Sequence, residues 1–214
     1  MLQAATDASP TPARVALPEA AFLFADIARF TSFTEVHGDA RAAELAWRMR
    51  LGVEGQLGHD AHIVKTLGDA VMVRFADPAE ATAAGLRIVS RALPAAGDPP
   101  IRVGIHCGSA IETDGDFIGA AVNLAARVAA QAAPGEVLTT ADVAIAARER
   151  GMRLDELGER RLRNVARPVL LYVARGGSGT SECRRAPTSD CTSRRMCLEP
   201  VAFGAGREAV DVGA

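Results

Sequence analysis

The stretch from His62 to Phe75, HIVKTLGDAVMVRF, constrains the fold more than any other. Two runs rich in β-branched and aromatic residues, His62-Ile63-Val64 and Val71-Met72-Val73-Arg74-Phe75, flank Gly68-Asp69. Gly and Asp are the residues a tight turn requires, so the stretch is expected to be a β-hairpin. Most carboxylates at such a tip only support the turn. Asp69 has further company: Lys65 lies four residues earlier on the same hairpin, and Asp26 ends an apolar run upstream.

The hairpin sits in a regular order. Upstream, AFLFADI from Ala21 reads as a short strand buried on both faces. Asp26 at its end is either an Asx-type cap for the next turn or a functional acid, since open α/β sheets put sites at strand ends. Gly38-Asp39 is expected to open a helix, with Asp39 as its N-cap. Leu45, Met49 and Val53 give that helix one apolar face, beside Ala42 and Ala46. Trp47 is expected in that packing or in an interface. After the hairpin, Asp77-Pro78 opens a second helix to about Leu93. Ile101 to Ala110 is the next strand, with His106 read as structural and Cys107 as buried and inert. The sequence thus runs strand, helix, hairpin, helix, strand, the β-α-β-β-α-β pattern of a ferredoxin-like sheet.

More elements follow. Asp116 comes directly after an Asp-Gly turn signal. Ala120 to Ala132 reads as an alanine-rich helix, on which Asn123 and Arg127 project from one side, about one turn apart. Alanine lets this helix lie close to its neighbours. The pair is either a solvated stripe or a set of donors awaiting a partner. A short strand at Val137-Leu138-Thr139, a short helix from Ala141 to about Arg150, and a strand pair, Met152 to Leu157 and Pro168 to Ala174, complete the expected domain. Arg160, Arg161, Arg163 and Arg167 lie between those last strands, either as a solvated loop or as a segment able to attract polyphosphate. The fold class expected is α+β, a ferredoxin-like core with additional C-terminal α/β elements. Residues 1–19 and 176–214 are expected to be flexible segments around a folded domain over 20–175.

Composition narrows the function classes. The 214 residues carry a net charge of −2, which argues against nucleic-acid binding built on phosphate neutralisation. No apolar run reaches the ~18 residues a bilayer span needs, and the N-terminus lacks a secretory pattern. A cytoplasmic chain without a membrane or nucleic-acid partner is the expectation. Cys183, Cys191 and Cys197 match no zinc spacing and are expected to be thiols.

Four segments carry a family resemblance: FADIARFTSFTE, VKTLGDAVMVRF, IRVGIHCGSA and GDFIGAAVNLAARV. In this order and at these separations they resemble the signature segments of class III nucleotidyl cyclases. LGERRLRNVARPVLLYV resembles the family's closing segment, so the likeness covers residues 20 to 175. It implies that Asp26 and Asp69, with the Ile27 carbonyl, bind two divalent cations, Mg²⁺ or Mn²⁺. It implies that Lys65 and Asp116 read the purine edge, that Asn123 orients the ribose, and that Arg127 stabilises charge on the α-phosphate. The turn holding Phe30 and Thr31 would face the phosphates, with Arg163 or Arg167 near the terminal one. It further implies a head-to-tail homodimer in which each site draws residues from both protomers.

The implied chemistry suits the residue types. Cyclising ATP needs in-line attack of the ribose 3′-oxygen on the α-phosphorus with pyrophosphate leaving, and two metals can clamp both ends of that displacement. Hard cations want oxygen ligands, hence Asp. Phosphoryl transfer needs mainly positioning and charge stabilisation, which a fixed guanidinium supplies. Lys65 and Asp116 could satisfy adenine or guanine by hydrogen-bond pattern alone; the resemblance favours adenine, since guanylyl cyclases carry Glu and Cys at these positions. The expected activity is an adenylate cyclase. A guanylate or mixed-specificity cyclase, and a catalytically silent nucleotide-binding module, are the alternatives. Arg29 departs from the resemblance, because the family usually has Gly there. No sensor domain is recognisable in the sequence.

Overall fold

In a computed structural model, residues 15–92 and 97–176 are described. The chain enters through a long central strand, β1 (Val15–Ile27), so residues 15–19, expected in the flexible lead-in, belong to the sheet. Residues 1–14, the end of the second helix at Leu93, and the tail with Cys183, Cys191 and Cys197 lie outside the described residues. Next come α1 (Phe30–His37), α2 (Asp39–Glu54), the hairpin β2 (Ala61–Leu67) and β3 (Ala70–Phe75), α3 (Pro78–Arg91), β4 (Ile101–Thr113) and β5 (Asp116–Ile118). The remaining elements are α4 (Ala120–Gln131), β6 (Val137–Thr140), α5 (Ala141–Glu149), β7 (Arg153–Arg160) and β8 (Val169–Arg175).

The strands form one eight-stranded sheet in the order β2-β3-β1-β4-β6-β8-β7, with β5 pairing β4. β1 is antiparallel to both β3 and β4, so β2-β3-β1-β4 with its intervening helices is the expected ferredoxin-like core. β4 and β6 are parallel, and β6, β8 and β7 extend the sheet.

β1 explains why both faces are covered. Its side chains alternate: Ala21, Leu23 and Ala25 pack with Leu45, Met49 and Val53 of α2 and with Ala81, Ala84 and Ile88 of α3. Phe22 and Phe24 point the other way, toward Ala121, Ala125 and Ala129 of α4. α4 lies close because β4 carries glycine at two positions beneath it, Gly104 and Gly108. A Cβ on Gly104 would overlap the Ala129 backbone, and one on Gly108 would press on Ala121.

Two local expectations change. The segment 30–37 was not expected to be helical, yet it forms α1. Gly38, at φ 81°, breaks it from α2, so Asp39 is the first residue of α2 rather than its cap. There its charge favours the positive end of the helix dipole. Of the two places expected for Trp47, the packing is excluded: it is 59% exposed, with the Arg50 guanidinium 5.5 Å from its ring centre. The Asp77-Pro78 start of α3 is as expected, and Asp77 accepts the Ala79 N–H at 2.8 Å. No helix among the described residues is long and apolar enough to cross a membrane.

Candidate active site

The acidic end of the site forms where β1 stops. In the sheet register Asp26 stands opposite Ala70 of β3 and Arg102 of β4. The hairpin closes with Leu67 paired to Ala70 and Gly68 at φ 63°, which leaves Asp69 at the turn. The Asp69 carbonyl accepts the Ile27 N–H at 3.2 Å, tying the turn to the end of β1. Burial, and then the neighbouring Asp26 charge, push the Asp69 carboxyl above the ordinary carboxylate range. Arg102 donates from Nε and Nη2 to Asp26 Oδ2, at 2.7 and 2.5 Å, and from Nη1 to the Ala130 carbonyl at 3.3 Å. Both contacts fall on one oxygen, so Arg102 leaves Asp26 Oδ1 unengaged.

These residues suit a divalent cation. Two carboxylates repel each other in a partly buried place, the electrostatic mark of a pair short of positive charge. The Ile27 carbonyl is the third expected donor. Among the described residues no group of three or more His, Cys, Asp or Glu side chains is placed to hold a metal ion. Mg²⁺ is typically held by one or two carboxylates, with waters and substrate phosphates completing its shell.

The turn leaving β1 is held by the Ala28 N–H on the Pro100 carbonyl at 2.9 Å. Arg29 then occupies the N-cap position of α1, at φ 61° and ψ 31°, with no side-chain cap. Phe30 and Thr31 begin the helix beyond it.

Lys65 and Asp116 meet within one chain. Lys65 Nζ lies 2.7 Å from Asp116 Oδ2, and Asp116 Oδ1 accepts the Phe117 N–H at 2.7 Å. The Lys65 hydrogen bond holds the Asp116 carboxyl below its usual range. A register shift between Ile63 and Lys65 marks the strand where Lys65 crosses to β5. Phe117 anchors the pair: it is buried, 5.7 Å from Phe22 between ring centres, with the Arg74 guanidinium over its ring.

Asn123 and Arg127 project from α4 into a separate cavity of about 470 Å³, which Arg163 also lines, with Ala120, Leu124 and Val165. Neither Asp26 nor Asp69 lines it. Buried Leu162 and half-buried Val165 pin the β7–β8 connection that carries Arg163. Arg167 is not part of the lining. His106 is bonded elsewhere, Nδ1 to Thr140 Oγ1 at 2.8 Å, and burial pushes the half-buried Cys107 thiol up.

The ten candidate residues thus fall into three groups on one chain: Asp26, Ile27 and Asp69 with the Phe30–Thr31 turn; Lys65 with Asp116; and Asn123, Arg127 and Arg163. The sequence reading missed Arg102. Its one signal is an arginine near the start of an otherwise apolar central strand; the partner is visible only from the β1–β4 register.

The family described as the adenylate and guanylate cyclase catalytic domain matches residues 15–176. The chain is similar to a pH-sensitive adenylate cyclase of Mycobacterium tuberculosis, 33% identical over 172 residues, 78% of this chain and 43% of that protein. It is also similar to an adenylate cyclase of Streptomyces griseus, 32% identical over 116 residues, 54% of this chain and 29% of that protein. The chain therefore spans less than half the length of these relatives. In fold it resembles the adenylyl cyclase CyaB from P. aeruginosa, with a TM-score of 0.67 at 22% identity, over 77% of this chain and 97% of that one. It also resembles the guanylyl cyclase Cya2, with a TM-score of 0.65 at 20% identity, over 79% and 97%.

Proposed function

The chain belongs to the adenylate and guanylate cyclase catalytic domain family, and on that premise we propose that it is an adenylate cyclase, converting ATP to 3′,5′-cyclic AMP and pyrophosphate. Residues 20–175 are taken as its catalytic domain. The observation that carries the reading is the partition of the polar residues into an acidic end and a separate cationic cavity. Cyclisation needs both around one triphosphate, and a head-to-tail homodimer brings the acidic end of one protomer to the cavity of the other.

Asp26, Asp69 and the Ile27 carbonyl would hold two Mg²⁺ or Mn²⁺ ions. When bound, such ions lower the pKa of the attacking 3′-hydroxyl and neutralise the triphosphate. Arg102 holds the Asp26 carboxylate in place before that, through two hydrogen bonds to Oδ2. The first-turn amides of α1, at Phe30 and Thr31, are donors for phosphate oxygens. Asn123 orients the ribose so that O3′ lies in line with the α-phosphorus. As the O3′–P bond forms and the bond to the bridging α–β oxygen breaks, Arg127 meets the charge growing on the α-phosphoryl oxygens. Arg163, in the same cavity, receives the far phosphates.

Base choice rests on Lys65 and Asp116. Their 2.7 Å ion pair keeps the two groups aligned. An adenine inserted between them accepts from Lys65 at N1 and donates its amino group to Asp116. The adenylate cyclase names of the relatives favour the same base.

The test is incubation of the purified chain with Mn²⁺ and either ATP or GTP, with products identified by mass spectrometry. Cyclic AMP from ATP is the expected product. Cyclic GMP alone would overturn the base assignment, and absence of any cyclic nucleotide would overturn the activity.

A further inference from the structure

We propose that Arg48 and Asp98 are positioning residues of the acidic end. Their ion pair holds the loop 97–100, and through it the end of β1 with the Ile27 carbonyl, in the place a bound cation requires. The bearing on catalysis rests on the cyclase reading; the hold on the end of β1 is a property of the chain and is tested separately.

The pair is a poor device for stability alone. Arg48, on α2, donates from Nη2 to Asp98 Oδ1 at 2.7 Å. The Asp98 side chain is only 6% exposed and that of Arg48 32%. One hydrogen bond joins them, so Asp98 Oδ2 and Arg48 Nε are both buried with no hydrogen-bond partner among the described residues. The desolvation of such a pair is offset only when its remaining atoms are bonded too, and apolar residues of similar volume often serve stability as well or better. A directional contact kept at this place points to a requirement for geometry.

Both sides of the pair are stiff enough to transmit that geometry. α2 is a fixed platform, with Leu45, Met49 and Val53 buried in the core. Gly52, one turn beyond Arg48, lies so close to the end of α3 that a Cβ there would overlap the Ala92 carbonyl. On the other side, Gly97 turns the chain at φ 92°, and Pro99 and Pro100 restrict the backbone between Asp98 and β4. Holding Asp98 therefore fixes the Pro100 carbonyl, which accepts the Ala28 N–H at 2.9 Å. Ala28 is buried and directly follows Ile27, and Ile27 pairs with Ile101, the residue after Pro100. One residue further along β4 stands Arg102, which holds Asp26. Arg48 thus acts on the acidic end from a helix that contributes none of its donors.

The experiment uses the full chain as wild type, as the double variant Arg48→Met with Asp98→Leu, and as Asp98→Asn and Arg48→Lys. Three quantities are read without nucleotide: the melting temperature, hydrogen exchange at the Ala28 amide, and Mn²⁺ affinity by calorimetry. The double variant should melt within about 4 °C of wild type. Its Ala28 amide should nevertheless exchange about tenfold faster, and it should bind Mn²⁺ about threefold to tenfold more weakly, the scale of one charge-assisted hydrogen bond. Arg48→Lys keeps the charge and a donor, and should keep most of both properties. In the cyclase assay at saturating Mn²⁺, the double variant should lose about tenfold in kcat with KM for ATP changed less, because misplaced donors harm alignment more than binding. Unchanged Ala28 exchange and Mn²⁺ affinity in the double variant overturn the proposal, as does faster exchange shared by amides throughout the sheet. If the double variant does not fold, Asp98→Asn, which keeps the shape and removes the charge, decides by the same two readings. A wild-type chain that makes no cyclic nucleotide, but loses Mn²⁺ affinity and Ala28 protection in the double variant, overturns the cyclase reading and leaves this one standing.

Discussion

The acidic end and the α4 cavity differ in how their charge is balanced. At the acidic end, Asp26 is met inside the chain by Arg102, and Asp69 is left with burial and a like-charged neighbour. In the cavity, Asn123 and Arg127 are exposed and have no partner among the described residues. The difference follows from exposure. A solvated guanidinium costs little to leave alone, whereas a partly buried carboxylate must be paired or shift its pKa. One region is short of cations and the other of anions. Neither can stabilise a five-coordinate phosphorus by itself, and their deficits are complementary, as the proposed site shared between two protomers requires.

The largest effects should come from breaking either region. Asp26→Ala and Arg127→Ala are each expected to lower kcat by about 10²–10³-fold or more, the scale for removing one preorganised charge. Mixing the two inactive proteins should restore about a quarter to a half of wild-type activity per dimer, a statistical estimate for one intact shared site. Recovery near zero would place all the groups of a site on one chain and dissolve the comparison. Next in size is Gly104→Ala. The added methyl meets the Ala129 backbone, so α4 must lift. Overpacking of this kind costs about 1–3 kcal/mol. The denaturant midpoint should fall, and the cavity residues, all carried by or facing α4, should lose activity while metal binding at the acidic end persists.

The hairpin, the buried β1 run and the alanine-rich helix were legible in the sequence because each is a local pattern: a turn signal between β-branched runs, an unbroken apolar stretch, a periodicity. The candidate site was legible through resemblance of four segments rather than through any one residue's chemistry, since Asp69 alone reads as a turn residue and Asn123 with Arg127 as a solvated stripe. What stayed hidden needed register or backbone conformation. Arg102 finds Asp26 only because β4 pairs with β1 in one particular alignment. α1 went unread because Phe30-Thr31-Ser32-Phe33-Thr34 is poor in strong helix formers, and no side chain caps its start. The left-handed turn at Arg29 has no signature when the residue there is not glycine.

Arg102→Ala sharpens the comparison by unbalancing the acidic end. The Asp26 side chain is only 18% exposed, so removing its partner should cost about 1–3 kcal/mol at neutral pH. A Tm drop that millimolar Mn²⁺ largely reverses is the expected result, because the cation replaces the lost positive charge. A drop that metal leaves unchanged would make Arg102 a packing residue instead.

The smallest effect belongs to the third group, which is already balanced within the chain. Lys65 holds the Asp116 carboxyl below its ordinary value, and a depressed carboxylate contributes stability that is present above its unfolded pKa. That contribution is lost as pH falls through the folded value. Asp116 is 41% exposed, so solvent screening limits the pair to below about 1 kcal/mol. Lys65→Met should therefore melt within about 2–4 °C of wild type at neutral pH, and the two curves should converge as acid protonates Asp116. The same variant should raise KM for ATP and narrow the preference for ATP over GTP, because Asp116 alone accepts equally well from the adenine amino group and from guanine N1–H. A variant that keeps its full preference for ATP would move base reading off this pair, and leave Lys65 and Asp116 as a fastener between β2 and β5.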